Sequence, residues 1–261
     1  MLKAETACKG NPGYTIEAAL PLSSLNIDIP ASGSIPGHTL ETYPDICRAI
    51  AGDGHELALH GYTHENLNVL PAEEEQAILW RSYRAMEKLT QAPPKGFRSP
   101  AWDISSRTIT NLAQMGILYD SSQMGQDYTV YHARTGDVIA PDAPMQFGRP
   151  TGVVEIPVSW SLDDYPYFEY LRTPSGLLPG LRRPPEVFEN WMEDVQYMLR
   201  DYENGVLTAT FHPQVSGRGH RLLALEKWID ALMNMGLRFS RLDAIAEQFQ
   251  AGQVFGRYMP A

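Results

Sequence analysis

From Ile35 onward, short apolar runs alternate with amphipathic stretches of about 10–18 residues, and this alternation constrains the fold more than any other feature of the chain. Ile35-Pro36-Gly37-His38 reads as a strand end and turn, followed by a helix to about Ala51 with Pro44 in its first turn and Gly52 and Gly54 as its stop. His55–Leu59 reads as a short strand. Pro71 and then Glu73-Glu74-Glu75 open a helix, because proline costs no hydrogen bond there and acids face the positive end of the helix dipole. Ile78, Ser82, Ala85, Met86 and Leu89 trace its inner stripe. A strand around Phe97, a helix to about Met115 and strands at Ile117–Asp120 and Val153–Ser159 come next. Then follow a helix at Pro184–Glu203, the clearest buried strand at Val206–Phe211, a helix at Leu222–Met235, a last strand at Leu237–Phe239 and a last helix at Leu242–Phe249. The pattern predicts an α/β chain with a parallel sheet or barrel, undivided by any linker from residue 35 to residue 261. Residues 121–152 and 160–183 are expected as long loops, and residues 1–34 as an irregular N-terminal segment.

Function is constrained first by His60-Gly61-Tyr62-Thr63-His64-Glu65, which follows the apolar run Leu57-Ala58-Leu59. In an extended strand, positions four apart lie roughly 13 Å from each other, too far to share a cation. In a turn their Cβ atoms come within about 5–6 Å. The stretch is therefore expected to break at Gly61 and aim both imidazoles at one point, as a metal pair. Three further strands end in useful chemistry: Arg98 with Trp102 and Asp103 after it, Trp160-Ser161-Leu162-Asp163-Asp164, and His212-Pro213. In parallel α/β folds, reacting groups gather at the C-terminal ends of strands, so the four stretches are expected to converge.

A formal net charge of −10, with no basic run longer than Arg182-Arg183, argues against a nucleic-acid or anionic-membrane surface. The two cysteines, Cys8 and Cys47, form no CxxC pair, and the chain shows no apolar run of about 18 residues and no signal-peptide pattern. A cytoplasmic location is the expectation.

Four stretches carry a resemblance: His60–Glu65, Phe97-Arg98-Ser99-Pro100-Ala101-Trp102, Ser159–Asp164 and Phe211-His212-Pro213-Gln214-Val215-Ser216-Gly217-Arg218-Gly219-His220. In that order, over roughly four-fifths of the chain, they resemble the NodB-type polysaccharide deacetylase superfamily. Within it they are similar to the branch holding allantoinase-like and cyclic-imide-hydrolase-like proteins and a peptidoglycan-deacetylase homologue. The resemblance implies a distorted (β/α) barrel of fewer than eight strands. It also implies a divalent cation, zinc as a rule, held by two histidines and an aspartate with a position open for water. His60 and His64 would be ligands, His212 the general acid or the group stabilising the tetrahedral intermediate, and Arg98 the orienter of an acidic partner. Trp102, Trp160, Asp163 and Asp164 would line the substrate pocket. The Asp pair with which the family opens is not found, so the first strand is expected to be missing or altered. Asp28, the sole aspartate before Asp45, is assigned as the third ligand. The expected activity is hydrolysis of a small cyclic or linear amide by a homo-oligomer, tetrameric by resemblance. The alternatives are a non-catalytic binding or assembly subunit and an N-deacetylase of a peptidoglycan- or chitin-type polymer.

Overall fold

A computed structural model describes residues 29–169, 171–173, 176–178 and 180–259. Asp28 and most of the irregular segment expected at 1–34 lie outside the described residues. The first strand is β1 (Ser32–Ile35), and the predicted helix after it is broken at Tyr43 into α1 (Gly37–Thr42) and α2 (Pro44–Gly52). Pro44 is the reason: it opens α2 at a position where no amide donor is needed, and the residue before a proline is pushed out of the helical region. Strand β2 (Glu56–Leu59), helix α3 (Ala72–Thr90), strand β3 (Gly96–Phe97), helix α4 (Thr108–Gln114) and strand β4 (Tyr119–Asp120) follow where the alternation predicts them.

The region 121–152 departs from the expected loop. It contains β5 (Tyr131–Thr135), antiparallel to β6 (Arg149–Glu155), with the register shifting between His132 and Arg134. The register shift, together with the Pro and Gly around it, hides the strand's period-2 pattern. The six strands lie in the order β1-β2-β3-β4-β6-β5, parallel except for the last pair. Region 160–183 is likewise structured, holding α5 (Asp164–Phe168) and a hairpin of β7 (Leu171–Thr173) with β8 (Gly176–Leu178). Helix α6 (Pro184–Asp201) leads into β9 (Tyr202–Glu203).

The expected buried strand Val206–Phe211 is extended but joins no ladder. It makes one parallel bridge, Thr210 with Asp163, and its amides at Val206 and Thr210 donate to Tyr128 O (3.0 Å) and Leu162 O (2.8 Å). Most of its side chains are half-buried, so the apolar run packs on a single layer rather than between two. Helices α7 (Pro213–Ser216), α8 (Gly219–Asn234) and α9 (Leu242–Gln250) and strand β10 (Arg257–Tyr258), antiparallel to β9, complete the described chain. Leu237–Phe239, expected as a strand, forms no ladder. The fold is an α/β barrel-like sheet with fewer than eight strands. Among the described residues, no helix is long and apolar enough to cross a membrane.

Two of the three apolar clusters among the described residues hold the helices in place. One packs α1–α4 on the first strands through Leu40, Leu79, Met86, Phe97 and Leu112. The other is aromatic, with Phe188 and Trp191 of α6 against Phe211 and Trp228 of α8, ring centroids 5.3–6.5 Å apart.

Beneath the sheet, at the opening residues of β1 and β2, lies a buried polar knot. Ser32 Oγ donates to Glu56 Oε2, which also accepts Asp243 N (3.1 Å), and Ser32 Oγ accepts Leu242 N (2.8 Å). Burial first, and the Asp243 charge second, push the Glu56 carboxyl up to about 7, against the pull of the Ser32, Asp243 and Tyr119 donors. Raised in the folded state, this acid contributes stability that is full below its unfolded value of 4.5 and lost as pH rises through about 7. The swing is on the order of 3 kcal/mol. Glu56→Gln keeps the acceptor without the titration, so relative to wild type its Tm is expected to gain several degrees, up to about 10 °C, at pH 8 over its value at pH 5. An equal Tm difference at both pH values contradicts this.

Candidate active site

The turn after β2 is built as its sequence demands. Gly61 takes φ +64°, and a Cβ there would sit 2.9 Å from Pro100 Cγ, so glycine is required twice over. His64 follows at φ +69°. The Glu65 carboxylate ties the turn together, accepting Tyr62 N (2.9 Å), Thr63 N (2.8 Å) and Thr63 Oγ1 (2.7 Å). Burial alone would raise this carboxyl, but the Thr63 hydroxyl and the amide donors hold it below the usual range. The result is the expected pair: the rings of His60 and His64 meet edge to face, 4.9 Å between centroids.

His60 is fully buried, and its Nδ1 lies 2.8 Å from Arg98 O. A carbonyl only accepts, so Nδ1 carries the hydrogen and the lone pair of the neutral ring falls on Nε2. That is the tautomer a metal ligand needs.

Arg98 is the junction of the site. Besides lending its carbonyl to His60, it spends its guanidinium on Ser121 O (Nε, 2.8 Å), Ser121 Oγ (Nη2, 2.8 Å) and Thr210 Oγ1 (Nη1, 3.2 Å). Thr210 O in turn accepts Asp164 N (3.1 Å). The four strand ends singled out in the sequence are thus joined by hydrogen bonds. Trp102 is buried 6.0 Å from the Arg98 guanidinium, and the half-exposed Trp160 lies over it at 4.1 Å between centroids. The two tryptophans thus pack together beside Arg98.

Asp164 is placed differently from the expectation. It is fully buried, and its oxygens accept His212 N (3.1 and 3.0 Å), His212 Nδ1 (2.7 Å) and Ser216 Oγ (2.5 Å). Asp163, also buried, caps α5 by accepting Tyr165 N (2.7 Å), and its Oδ1 lies 3.7 Å from His212 Nδ1. The donor atoms of Asp163, Asp164 and His212 all fall within 4.8 Å of one another, a spacing that could hold a cation. The hydrogen bonds argue otherwise, because Nδ1 gives its hydrogen to a carboxylate that already accepts from two further groups. In this cluster Asp164 orients the His212 ring through Nδ1.

Among the described residues, no acid joins His60 and His64 in a comparable set of three donors. His60 has the tautomer a divalent cation needs and the His64 ring lies 4.9 Å from it, while the assigned third ligand, Asp28, lies outside the described residues. Sequence reading missed Ser121, Thr210 and Ser216. Thr210 and Ser216 flank His212 at two and four positions, a spacing that a strand-to-helix corner brings back onto one side.

Residues 22–119 match the family described as polysaccharide deacetylase. The chain is 33% identical over 233 residues to a peptidoglycan deacetylase of Helicobacter pylori, covering 85% of this chain and 79% of that one. It is 30% identical over 239 residues to a peptidoglycan deacetylase-like protein of Gibberella zeae, covering 82% and 69%. A solved putative polysaccharide deacetylase of Mycobacterium smegmatis superposes with a TM-score of 0.74 at 31% identity, over 92% of this chain and 78% of that one. An allantoinase structure shares the fold alone, with a TM-score of 0.70 at 21% identity over 89% and 70%. With its four site stretches drawn together around Arg98 and relatives of this closeness, the chain belongs to the polysaccharide deacetylase family.

Proposed function

We propose that the chain is a metal-dependent hydrolase of a non-peptide C–N bond, and that its substrate is an N-acetylated glycan of the peptidoglycan type. The observation that carries this reading is the His60–Arg98–Thr210–Asp164–His212 hydrogen-bond chain, which couples a ligand-competent imidazole pair to an oriented acid. The names of relatives at 30–33% identity favour a glycan over the small cyclic amide expected at first. The half-exposed Trp160, lying over the buried Trp102 at 4.1 Å between centroids, also offers an indole face on which a sugar ring can lie.

His60 and His64 would hold the cation, zinc by the chemistry of two imidazoles, with an acidic ligand beside them. Bound there, the cation would supply Lewis-acid polarisation of the acetamide carbonyl. His212, fixed through Nδ1 by Asp164, is set to give a proton from Nε2 to the departing sugar amine. Trp102 and Trp160 orient the ring and exclude water from one side of it.

The test is acetate release from N-acetylglucosamine oligomers and from purified sacculi, set beside hydrolysis of allantoin and a cyclic imide. Acetate from the glycans with no turnover of the small amides is expected, and the reverse overturns the choice of substrate. The second reading, a non-catalytic homologue, draws on the lack of a third ligand among the described residues. It predicts glycan binding with no acetate released from any of these substrates.

A further inference from the structure

Asp120 and Glu155 face each other across adjacent parallel strands, at the ends of β4 and β6. Both are completely buried at paired positions of the two strands. Glu155 Oε1 accepts Ser122 N (3.1 Å) and Gln123 N (2.9 Å), and its Oε2 accepts Gln123 Nε2 (2.7 Å). Asp120 Oδ1 accepts Ser122 Oγ (2.5 Å). Two carboxyls buried at paired positions of adjacent strands repel when both are ionised, so the pair holds one proton. Burial first, and the charge of Asp120 next, raise Glu155 well above its ordinary value, and burial raises Asp120 as well. The ionisable groups that face the pair from neighbouring strands are Arg98 of the β3 edge and Tyr131 of β5.

What hangs from this pair is the rim of the site. Ser122 Oγ, bonded to Asp120, accepts Ser99 N (2.8 Å). Ser121, between the acid and that serine, receives two of Arg98's hydrogens. Ser99 opens a turn in which Ala101 and Trp102 both take left-handed backbone angles, φ +52° and +57°. Such angles in non-glycine residues persist only where surrounding bonds impose them.

We propose that the Asp120–Glu155 pair, holding one proton, is the positioning element that sets Arg98 and the Ser99–Trp102 turn at the rim of the active site. Neither carboxyl touches substrate. The proposal rests on the deacetylase reading for what that rim does, but not for the pair's own behaviour. Glu155→Gln and Asp120→Asn each replace the pair's proton with amide hydrogens that do not titrate. The double variant sets two amide groups in the place of the two carboxyls and removes the last charge from the cluster.

The experiment follows turnover and intrinsic tryptophan fluorescence from pH 6 to 10 in the wild type, both single variants and the double, with Tyr131→Phe as control for the neighbouring phenol. The wild type should lose turnover and shift its fluorescence together on an alkaline limb, and Tyr131→Phe should keep that limb. Each single variant should stay within about tenfold of wild type at pH 7 and lack the limb, and the double should fall further than the two singles combined. A limb absent from the wild type, or unchanged in both singles, overturns the proposal, as does a double variant whose loss is the sum of the singles. If the wild type turns over no substrate, the deacetylase reading fails, and the fluorescence titration alone decides the pair by the same criteria.

Discussion

Asp164→Asn is expected to lower turnover on the order of 10³-fold while leaving metal content and thermal stability nearly intact. Asparagine can still accept one of the hydrogens that Asp164 now takes from His212 N, His212 Nδ1 and Ser216 Oγ. Its amide nitrogen, however, presents a donor where the site needs an acceptor. The imidazole then turns, or takes the other tautomer with its hydrogen on Nε2, and no carboxylate stabilises the imidazolium that must give its proton from Nε2. A comparable loss attends the same change in serine-protease triads, where an acid orients a histidine in this way. Asp164→Ala should add destabilisation of about 1–3 kcal/mol, because the His212 amide and the Ser216 hydroxyl would be buried without acceptors. The discriminating measurement is kcat against KM. A fall in kcat at constant KM supports the orienting role. A rise in KM alone would mean that Asp164 serves substrate binding, as its sequence position first suggested.

His60→Ala is expected to remove metal retention altogether. The ring is fully buried, donates to Arg98 O and stands 4.9 Å from His64. Loss of a mere supporting hydrogen bond around a metal weakens affinity about 10–100-fold, so loss of a ligand should exceed that range. Because a ligand that binds only the folded chain stabilises it, zinc at about 100 times its Kd should raise stability by roughly 2.7 kcal/mol in the wild type. In His60→Ala the zinc-dependent rise in Tm should vanish. A mutant that keeps the full rise would place the cation elsewhere, the Asp163–Asp164–His212 cluster being the alternative set of donors.

Sequence reading worked best where chemistry and geometry were local. The Gly61 turn, the His60–His64 pair and the helix opened by Pro71 and three glutamates each declare themselves within a few residues, because φ, spacing and dipole are short-range quantities. The hairpin of β5 and β6 was illegible because its register shift disrupts the alternation by which strands are recognised. Val206–Phe211 misled in the opposite sense. Its β-branched and apolar content fits a doubly buried strand, but whether a partner lies beside it is decided by residues far away in sequence. The convergence on Arg98 was expected from strand ends, yet its actual partners, Ser121 and Thr210, are short hydroxyl residues with no motif of their own. Asp120 and Glu155 looked like ordinary strand-end acids. Their pairing depends on the β4–β6 register, which no local signal encodes.

If this chain strips acetyl groups from a glycan with a cation held at His60 and His64, its activity must follow the metal at that pair. The direct measurement is acetate released from an N-acetylglucosamine oligomer by chelator-treated protein, titrated with zinc, alongside metal bound per chain. The account predicts no acetate without metal, recovery that saturates at one zinc per chain, and no recovery in His64→Ala. Saturating zinc at one per chain with no acetate released, or acetate release that survives both chelation and His64→Ala, would contradict it.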